Sequence, residues 1–275
     1  MIFGFDFVRG SGNLDQRNYD VKDFQAVSLA GIGTLSIEQT GQESLRIEAE
    51  DNLFEYLRVE VRGRELYLGV QRGVSLRPTR PIKFMLTVKE IEEISIAGSG
   101  DVHTSALTSK HLKMGISGSG DIETGVLQVE KDLALRISGS GRFDLPNIEA
   151  AETEMVITGS GKGRVDSLKT GTARLGITGA GDFRLGNVQA ETLETRITGS
   201  GDVALSGKAK EQELTISSVG KYKAQDLESV NARVKISGSG SAYVSVQDRL
   251  DVRISGSGSV HYRGRPIIVQ SISGS

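Results

Sequence analysis

The sequence predicts an all-β chain: a right-handed parallel β-helix (solenoid) of about 20-residue coils, opened by a strand-rich N-terminal cap with a β-hairpin. Three observations predict it. A short motif recurs at a near-constant period, the residues around it alternate apolar and polar in steps of two, and the composition suits a thin, regular core. Of 275 residues 35 are Gly, aromatics make up 5% and Trp is absent, a poor supply of the bulky anchors that globular cores use.

The motif is Ile-Ser/Thr-Gly-Ser-Gly. Its Ile stands at Ile96, Ile116, Ile137, Ile157, Ile177, Ile197, Ile216, Ile236, Ile254 and Ile272, with spacings of 20, 21, 20, 20, 20, 19, 20, 18 and 18. A degenerate copy lies upstream as Val27-Ser28-Leu29-Ala30-Gly31-Ile32-Gly33. With the Ile at position zero, position minus two holds Ile94, Met114, Leu135, Met155, Leu175, Leu214, Val234 and Val252, Thr195 being the polar exception. Position plus six holds Val102, Ile122, Phe143, Phe183, Val203, Tyr222 and Val260. Leu107, Leu127, Leu168, Val188, Leu227 and Val246 follow further along each coil, while odd offsets are mostly polar. This is the period of strands with one buried and one wet face, and a 3.6-residue helical wheel would scatter it. A coil of this length has room for three strands of about four to five residues with tight corners. Equivalent positions then stack as parallel ladders about 4.8 Å apart, and right-handed parallel crossovers are the rule. The paired glycines, such as Gly98 and Gly100 or Gly118 and Gly120, mark a corner where the chain bends or two walls meet too closely for a Cβ. Ser217-Ser218-Val219-Gly220 breaks the motif, which predicts local distortion between Ile216 and Tyr222.

The N-terminal part differs in kind. Residues 1–93 read as the solenoid start and capping region, and residues 94–275 as the regular repeat of one continuous domain. The stretch between Leu29 and Ile96 is long enough for about three coils but carries no Gly-Ser-Gly. Leu45 to Ala49 alternates as a strand. Leu57–Val61 and Leu66–Val70 flank Arg62-Gly63-Arg64 as a hairpin. Pro78 and Pro81 bracket an irregular link before the alternating Ile82, Phe84, Leu86 and Val88. Such a decorated region suits the cap that hides a solenoid's open edge.

Charge and composition exclude several function classes. Thirty-three basic against 35 acidic residues leave a net charge of −2, so no global field favours nucleic acid or anionic lipid. No run of about 18 apolar residues spans a membrane. Without Cys there is no disulfide, thiolate metal site or Cys nucleophile. Neither phosphate-loop motif is present, so the glycines read as corners. Asp101, Asp121, Asp182 and Asp202 follow the motif, yet Arg142, Lys162 and Lys221 share their position and the period is not that of calcium-binding rolls. Thr158, Thr178 and Thr198 form an outward ladder that reads as β-favouring residues on a wet face. Solenoids also host polysaccharide lyases and hydrolases, for which Glu149, Glu152, Glu154 and Asp166 would be the acids. His103, His111 and His261 show no triad or metal spacing. The expectation is therefore no catalytic, cofactor-binding or metal site and no enzyme.

The stacked Ile-Ser-Gly-Ser-Gly-Asp-Val signature, led by Leu29-Ala30-Gly31-Ile32-Gly33, resembles the autotransporter adhesin head domain (GIN domain) family of bacteria from about Phe24 to Ser275. The resemblance implies a right-handed parallel β-helix at the cell envelope, adhesin-like, with no catalytic residues defined. It implies an extracytoplasmic location and a partner such as envelope glycan or a surface protein. Met1 to Val8 holds Asp6 and lacks a basic lead, so the export signal is read as missing from this chain. The last residues, Ile272 to Ser275, fall inside a motif copy, which reads as a trimmed or partial chain. The alternative function is a β-helix carbohydrate-active enzyme.

Overall fold

Period-2 alternation puts Ile, Leu and Val on one face of each strand, and that face has nowhere to go except inward against the rest of its own coil. The computed structural model describes residues 6–274. Among them helix is confined to a 3-10 turn, Asp51–Tyr56. The N-terminal strands are β1 (Asp6–Arg9), β2 (Leu14–Tyr19), β3 (Ala26–Gly31), β4 (Thr34–Gln39), β5 (Ser44–Glu50), β6 (Leu57–Arg62), β7 (Glu65–Val70), β8 (Val74–Arg77) and β9 (Lys83–Val88). Then come β10 (Glu93–Gly98), β11 (Asp101–Thr104), β12 (Leu107–Gly118), β13 (Asp121–Glu123), β14 (Leu127–Gly139), β15 (Arg142–Gly159), β16 (Lys162–Gly179) and β17 (Asp182–Gly199). The stack closes with β18 (Asp202–Ile216), β19 (Lys221–Ser237), β20 (Ser241–Ser255), β21 (Ser259–Arg263) and β22 (Ile267–Ser273).

The motif isoleucines form one ladder in parallel register. Leu68 lies beside Leu29, Leu29 beside Ile96, and from Ile96 every motif Ile lies beside the next as far as Ile272. Ile96 to Ile254 are buried throughout. Position minus two is buried from Ile94 to Val252, Thr195 included.

The predicted three short strands per coil need correction. From β15 to β20 one strand wraps most of the coil and is interrupted only at the Gly-Ser-Gly bend. Two further corners are present without ending the strand, as β15 shows, only Pro146 and Ala151 dropping out of the ladder to β16. Phe143 and Leu145 point inward, Pro146 and Asn147 do not, Ile148 and Ala150 do, Ala151 and Glu152 do not, and Thr153, Met155 and Ile157 do. Each corner thus slips the inward phase by one residue, and the coil has three walls: the first carries the motif Ile (153–157 in β15), the second follows the Gly-Ser-Gly bend (142–145) and the third runs over 148–150. At the first of these corners Asn187 takes a left-handed φ of 42°, a conformation Asn tolerates better than most residues.

The N-terminal stretch does not form three successive coils. β3 and β4 stack directly under β10 and β11, although Leu29 and Ile96 are far apart in the sequence. The intervening chain crosses to the other side of β3 and β4 and returns. There β7 pairs parallel with β3 and β9 with β4, building one further layer. Antiparallel partners then cover that layer. The hairpin strand β6 lies against β7, as its Gly63 turn predicts, and β5 lies between β9 and β2. Leu53 and Phe54 of the 3-10 turn are buried beneath, with the Arg17 guanidinium 4.2 Å from the Phe54 ring centre. The predicted distortion at Ser218 is mild: β18 stops at Ile216 and β19 begins at Lys221, a longer break than in the other coils, while Ser217 and Val219 still donate to the Ile197 and Gly199 carbonyls on the rung beneath. Val219 is left exposed there.

Candidate functional site

The corner between the third and first walls is concave because the residues beneath it are small. One inward ladder runs Ser109, Val129, Ala150, Thr170, Ala190, Ala209, Ser229 and Val246. Short side chains leave this corner unfilled, and a groove follows it along the solenoid axis. Its first cavity is about 1040 Å³ and its second about 560 Å³, and the two share Lys169 and Thr170. Together they run from Gln39 to Gln247.

One bank is the outward ladder Thr108, Gln128, Glu149, Lys169, Gln189, Lys208 and Glu228. Its charges neutralise each other along the axis, with Lys169 Nζ 2.7 Å from Glu149 and Lys208 Nζ 3.5 Å from Glu228. Across the groove Lys210 lies 3.8 Å from Glu191. The amides of Gln128, one rung before the first pair, and Gln189, between the two, remain as uncharged donors and acceptors. Gln39 closes one end, accepting the Thr108 N–H at 2.8 Å and donating to the Thr108 and Lys89 carbonyls.

Hydroxyls in the floor are tied down from within. Thr153 donates to Thr170 Oγ1 at 3.3 Å, and Thr170 donates to the main chain of the corner. Ser229 donates to the Ser245 carbonyl at 2.9 Å and lies against Gln212, whose Nε2 donates to the Tyr222 hydroxyl at 2.7 Å. Tyr222 is fully buried, and burial pushes its hydroxyl far up, so it stays protonated. Thr195, the polar exception at minus two, faces the same hydroxyl.

The carboxylates singled out in the sequence are only partly brought together: Glu152 and Glu154 line one cavity of about 570 Å³ with Arg136 and Arg174, and Glu149 and Asp166 do not join them. Glu149 lines the groove, Glu152 stands at the corner, Glu154 on the first wall and Asp166 at the opposite corner. Each has its own cation: Lys169 at 2.7 Å, Arg174 at 3.0 Å, Arg136 at 2.6 Å and Arg164 at 3.0 Å respectively. The Arg174 guanidinium is held further towards its charged form, chiefly by its hydrogen bond to Glu152. Asp101 and Asp182 each accept the backbone N–H of the Asp one rung on, Asp121 and Asp202, at 3.0 and 3.2 Å. They bind the next rung rather than a cation. His103 and His111 pair with Glu123 and Asp132 on the neighbouring rung. Among the described residues no three His, Cys, Asp or Glu side chains gather as a metal site. No described helix is long and apolar enough to cross a membrane.

The groove was not legible in the sequence. Its signal is the small-residue ladder at the corner, but those residues recur at an offset that the corner slip hides from a count in steps of two.

Three solved structures share this architecture over nearly the whole chain. A "putative adhesin" from Parabacteroides distasonis aligns with a TM-score of 0.60 and 21% identity, covering 98% of both chains. A "putative lipid binding protein" from the same organism aligns at 0.57 and 25% identity, over 98% of this chain and 97% of that one. A "putative adhesin" from Parabacteroides merdae aligns at 0.57 and 22% identity, over 98% and 96%. A comparison with curated proteins finds no match. The family model described as "Putative auto-transporter adhesin, head GIN domain" matches residues 23–162 and 147–266. With that match covering most of the stack and its cap, the chain belongs to the adhesin-head GIN domain family.

Proposed function

We propose that this chain is a non-catalytic, extracytoplasmic binding module of the bacterial surface that receives an extended partner, envelope glycan or surface protein, along its corner groove. The observation that carries this reading is the continuity of the groove from Gln39 to Gln247. A cleft parallel to the axis repeats its contacts every rung, about 4.8 Å, and so suits a chain-like ligand held by many weak, similar contacts. Banks of amides and mutually paired charges offer hydrogen bonds without a strong field of either sign. Glu152 and Glu154 share a cavity, but each of Glu149, Glu152, Glu154 and Asp166 is ion-paired with a cation, which supports binding over turnover, since a general acid needs a carboxyl that holds its proton.

The test is a glycan and surface-protein array combined with a turnover assay on polysaccharides, run on the full chain and on Ala190→Arg. Ala190 belongs to the inward ladder but lies partly exposed in the groove floor, so an unchanged thermal melt of the variant verifies that the long side chain turns into the groove and leaves the core packed. Binding without depolymerisation, weakened at least tenfold by Ala190→Arg, is the expected result. Depolymerisation that disappears in Glu152→Gln or Glu154→Gln would establish a β-helix carbohydrate-active enzyme instead.

A further inference from the structure

On the second wall, the outward side chains of the last three rungs differ from those below them. Earlier rungs mix signs at these offsets: Asp121 lies beside Arg142, and Lys162 beside Asp182. From Lys221 onward the rungs read Lys221, Ser241, Ser259 in one ladder and Lys223, Tyr243, His261 in the next, and Ser245 beside Arg263 in a third. One carboxylate, Glu228, heads the third ladder beside Ser245, at the edge of the array, and Lys208 Nζ lies 3.5 Å from it. Tyr243 and His261 stack with ring centres 4.7 Å apart and planes 12° from parallel, the one stacked ring pair among the described residues. Tyr243 is 37% exposed, and Tyr262, beside Val244, is 48% exposed. These rings, the cations and the Gln225 amide line an open cavity of about 540 Å³.

We propose that this array is a binding site for an anionic saccharide, one carrying carboxylate or sulfate groups. A sugar ring offers apolar C–H edges to an aromatic surface and hydroxyls to hydroxyl and amide partners, and the acidic substituent seeks a cation. All three are present within three rungs, an area about 10 Å along the axis, the size of a few sugar units. Two further acids sit at the rim: Asp202 holds Lys223 Nζ at 2.9 Å and Asp226 lies 3.6 Å from Arg263. Both pairs are substantially exposed, so they are weak and exchangeable. Lys221 has no ion pair among the described residues and is free to meet the ligand. The field is local: Lys221, Lys223 and Arg263 lie within three successive rungs, where an acidic sugar can meet all three.

The proposal rests on the binding-module reading but uses a different surface from the groove. The experiment is calorimetric titration of the full chain with tetragalacturonate, a sulfated chondroitin tetrasaccharide and a neutral galactose tetrasaccharide. Tyr243→Ser and the double variant Lys223→Ser with Arg263→Ser are run alongside. These side chains are exposed, and unchanged thermal melts verify that both variants fold. The expected result is that at least one acidic chain binds tenfold or more tighter than the neutral one, with each variant losing tenfold or more. Equal affinity for acidic and neutral chains, no binding of either acidic chain, or binding indifferent to both variants overturns the site. Tighter binding of a thymidine oligonucleotide than of either acidic sugar, lost in the same variants, also overturns it and assigns the array to nucleic acid. Ala190→Arg separates the two readings: acidic-sugar binding that survives it belongs to the array, and binding that disappears with it belongs to the groove and overturns the array.

Discussion

At Gly118 the backbone runs at φ 137°, and an added Cβ would stand 2.1 Å from the carbonyl oxygen of Gly98 on the rung beneath. This first glycine of the motif pair therefore answers to two demands at once, a left-handed bend and close stacking. Gly118→Ala should cost at least about 2 kcal/mol. Gly41→Ala, also at positive φ but with open space around it, should cost only about 1 kcal/mol. Urea melts of the two variants give the comparison, and equal losses would show that stacking is not the constraint. Glu50 is the other residue that decides locally. It is fully buried in the cap and its carboxylate accepts the Gly12 N–H at 2.6 Å, the Thr79 N–H at 2.8 Å, the Thr79 hydroxyl at 2.6 Å and the Arg80 N–H at 3.3 Å. Burial alone would raise its pKa, but these hydrogen bonds outweigh it and hold the carboxyl below the usual 4.5. A depressed folded value means that its stabilisation is complete above the unfolded value. It is lost as pH falls from about 4.5 through the folded value. Glu50→Gln should cost about 1–3 kcal/mol at neutral pH and flatten the acid limb of a melt series between pH 5 and 3. An unchanged acid limb would show that the cap is not anchored there.

Among the elements, the wrapped strands absorb variation in coil length at their corners. The 21-residue spacing from Ile116 to Ile137 is taken up between Val129 and Asp132, opposite Ser109 to His111, and the 19-residue spacing from Ile197 to Ile216 between Leu205 and Gly207, opposite Leu185 to Val188. The wall carrying Ile157 shows no shift in any rung from Ile94 to Ile254. A slip at a corner moves two solvent-facing residues, whereas a slip within a wall turns a buried row outwards. One Gly inserted between Ala151 and Glu152 should lower the melting temperature by only a few degrees. The same insertion between Met155 and Val156 should abolish the cooperative transition, since Met155 and Ile157 can no longer both face inward. Two similar melts would mean that the corners are as tightly specified as the walls.

Over the whole molecule, stability comes from rung-to-rung stacking, and nearly all contacts join neighbouring strands of the stack. Because Gly139 and Gly159 occupy equivalent positions on adjacent rungs, deletion of residues 140–159 joins Gly139 to Ser160 and restores the motif. The shortened chain should keep its β-rich circular dichroism, melt slightly lower, and lose about 5 Å of its long dimension in small-angle scattering. Loss of folded signal would show that the coils are not interchangeable units. The two ends differ: antiparallel strands and the 3-10 turn cover one, whereas Ile267, Ile268, Val269 and Ile272 of β22 are exposed at the other.

The repeat, its ladders and the corner glycines were legible in the sequence because each is a local rule: alternation sets which face is buried, and a fixed period sets what stacks on what. The hairpin at Gly63 was legible for the same reason. Only the tertiary structure decided where the first coil sits. The pairing of Leu29 with Ile96, with five strands and the 3-10 turn between β4 and β10, depends on β7 and β9 finding the opposite edge, which no local pattern encodes. It also decided the sites. The corner slips set the Ala150, Thr170 and Ala190 row beneath an open groove. Stacking joined Lys221, Lys223, Tyr243, His261 and Arg263, contributed by three successive rungs, into one cationic aromatic surface, because a solenoid makes neighbours of residues one coil apart.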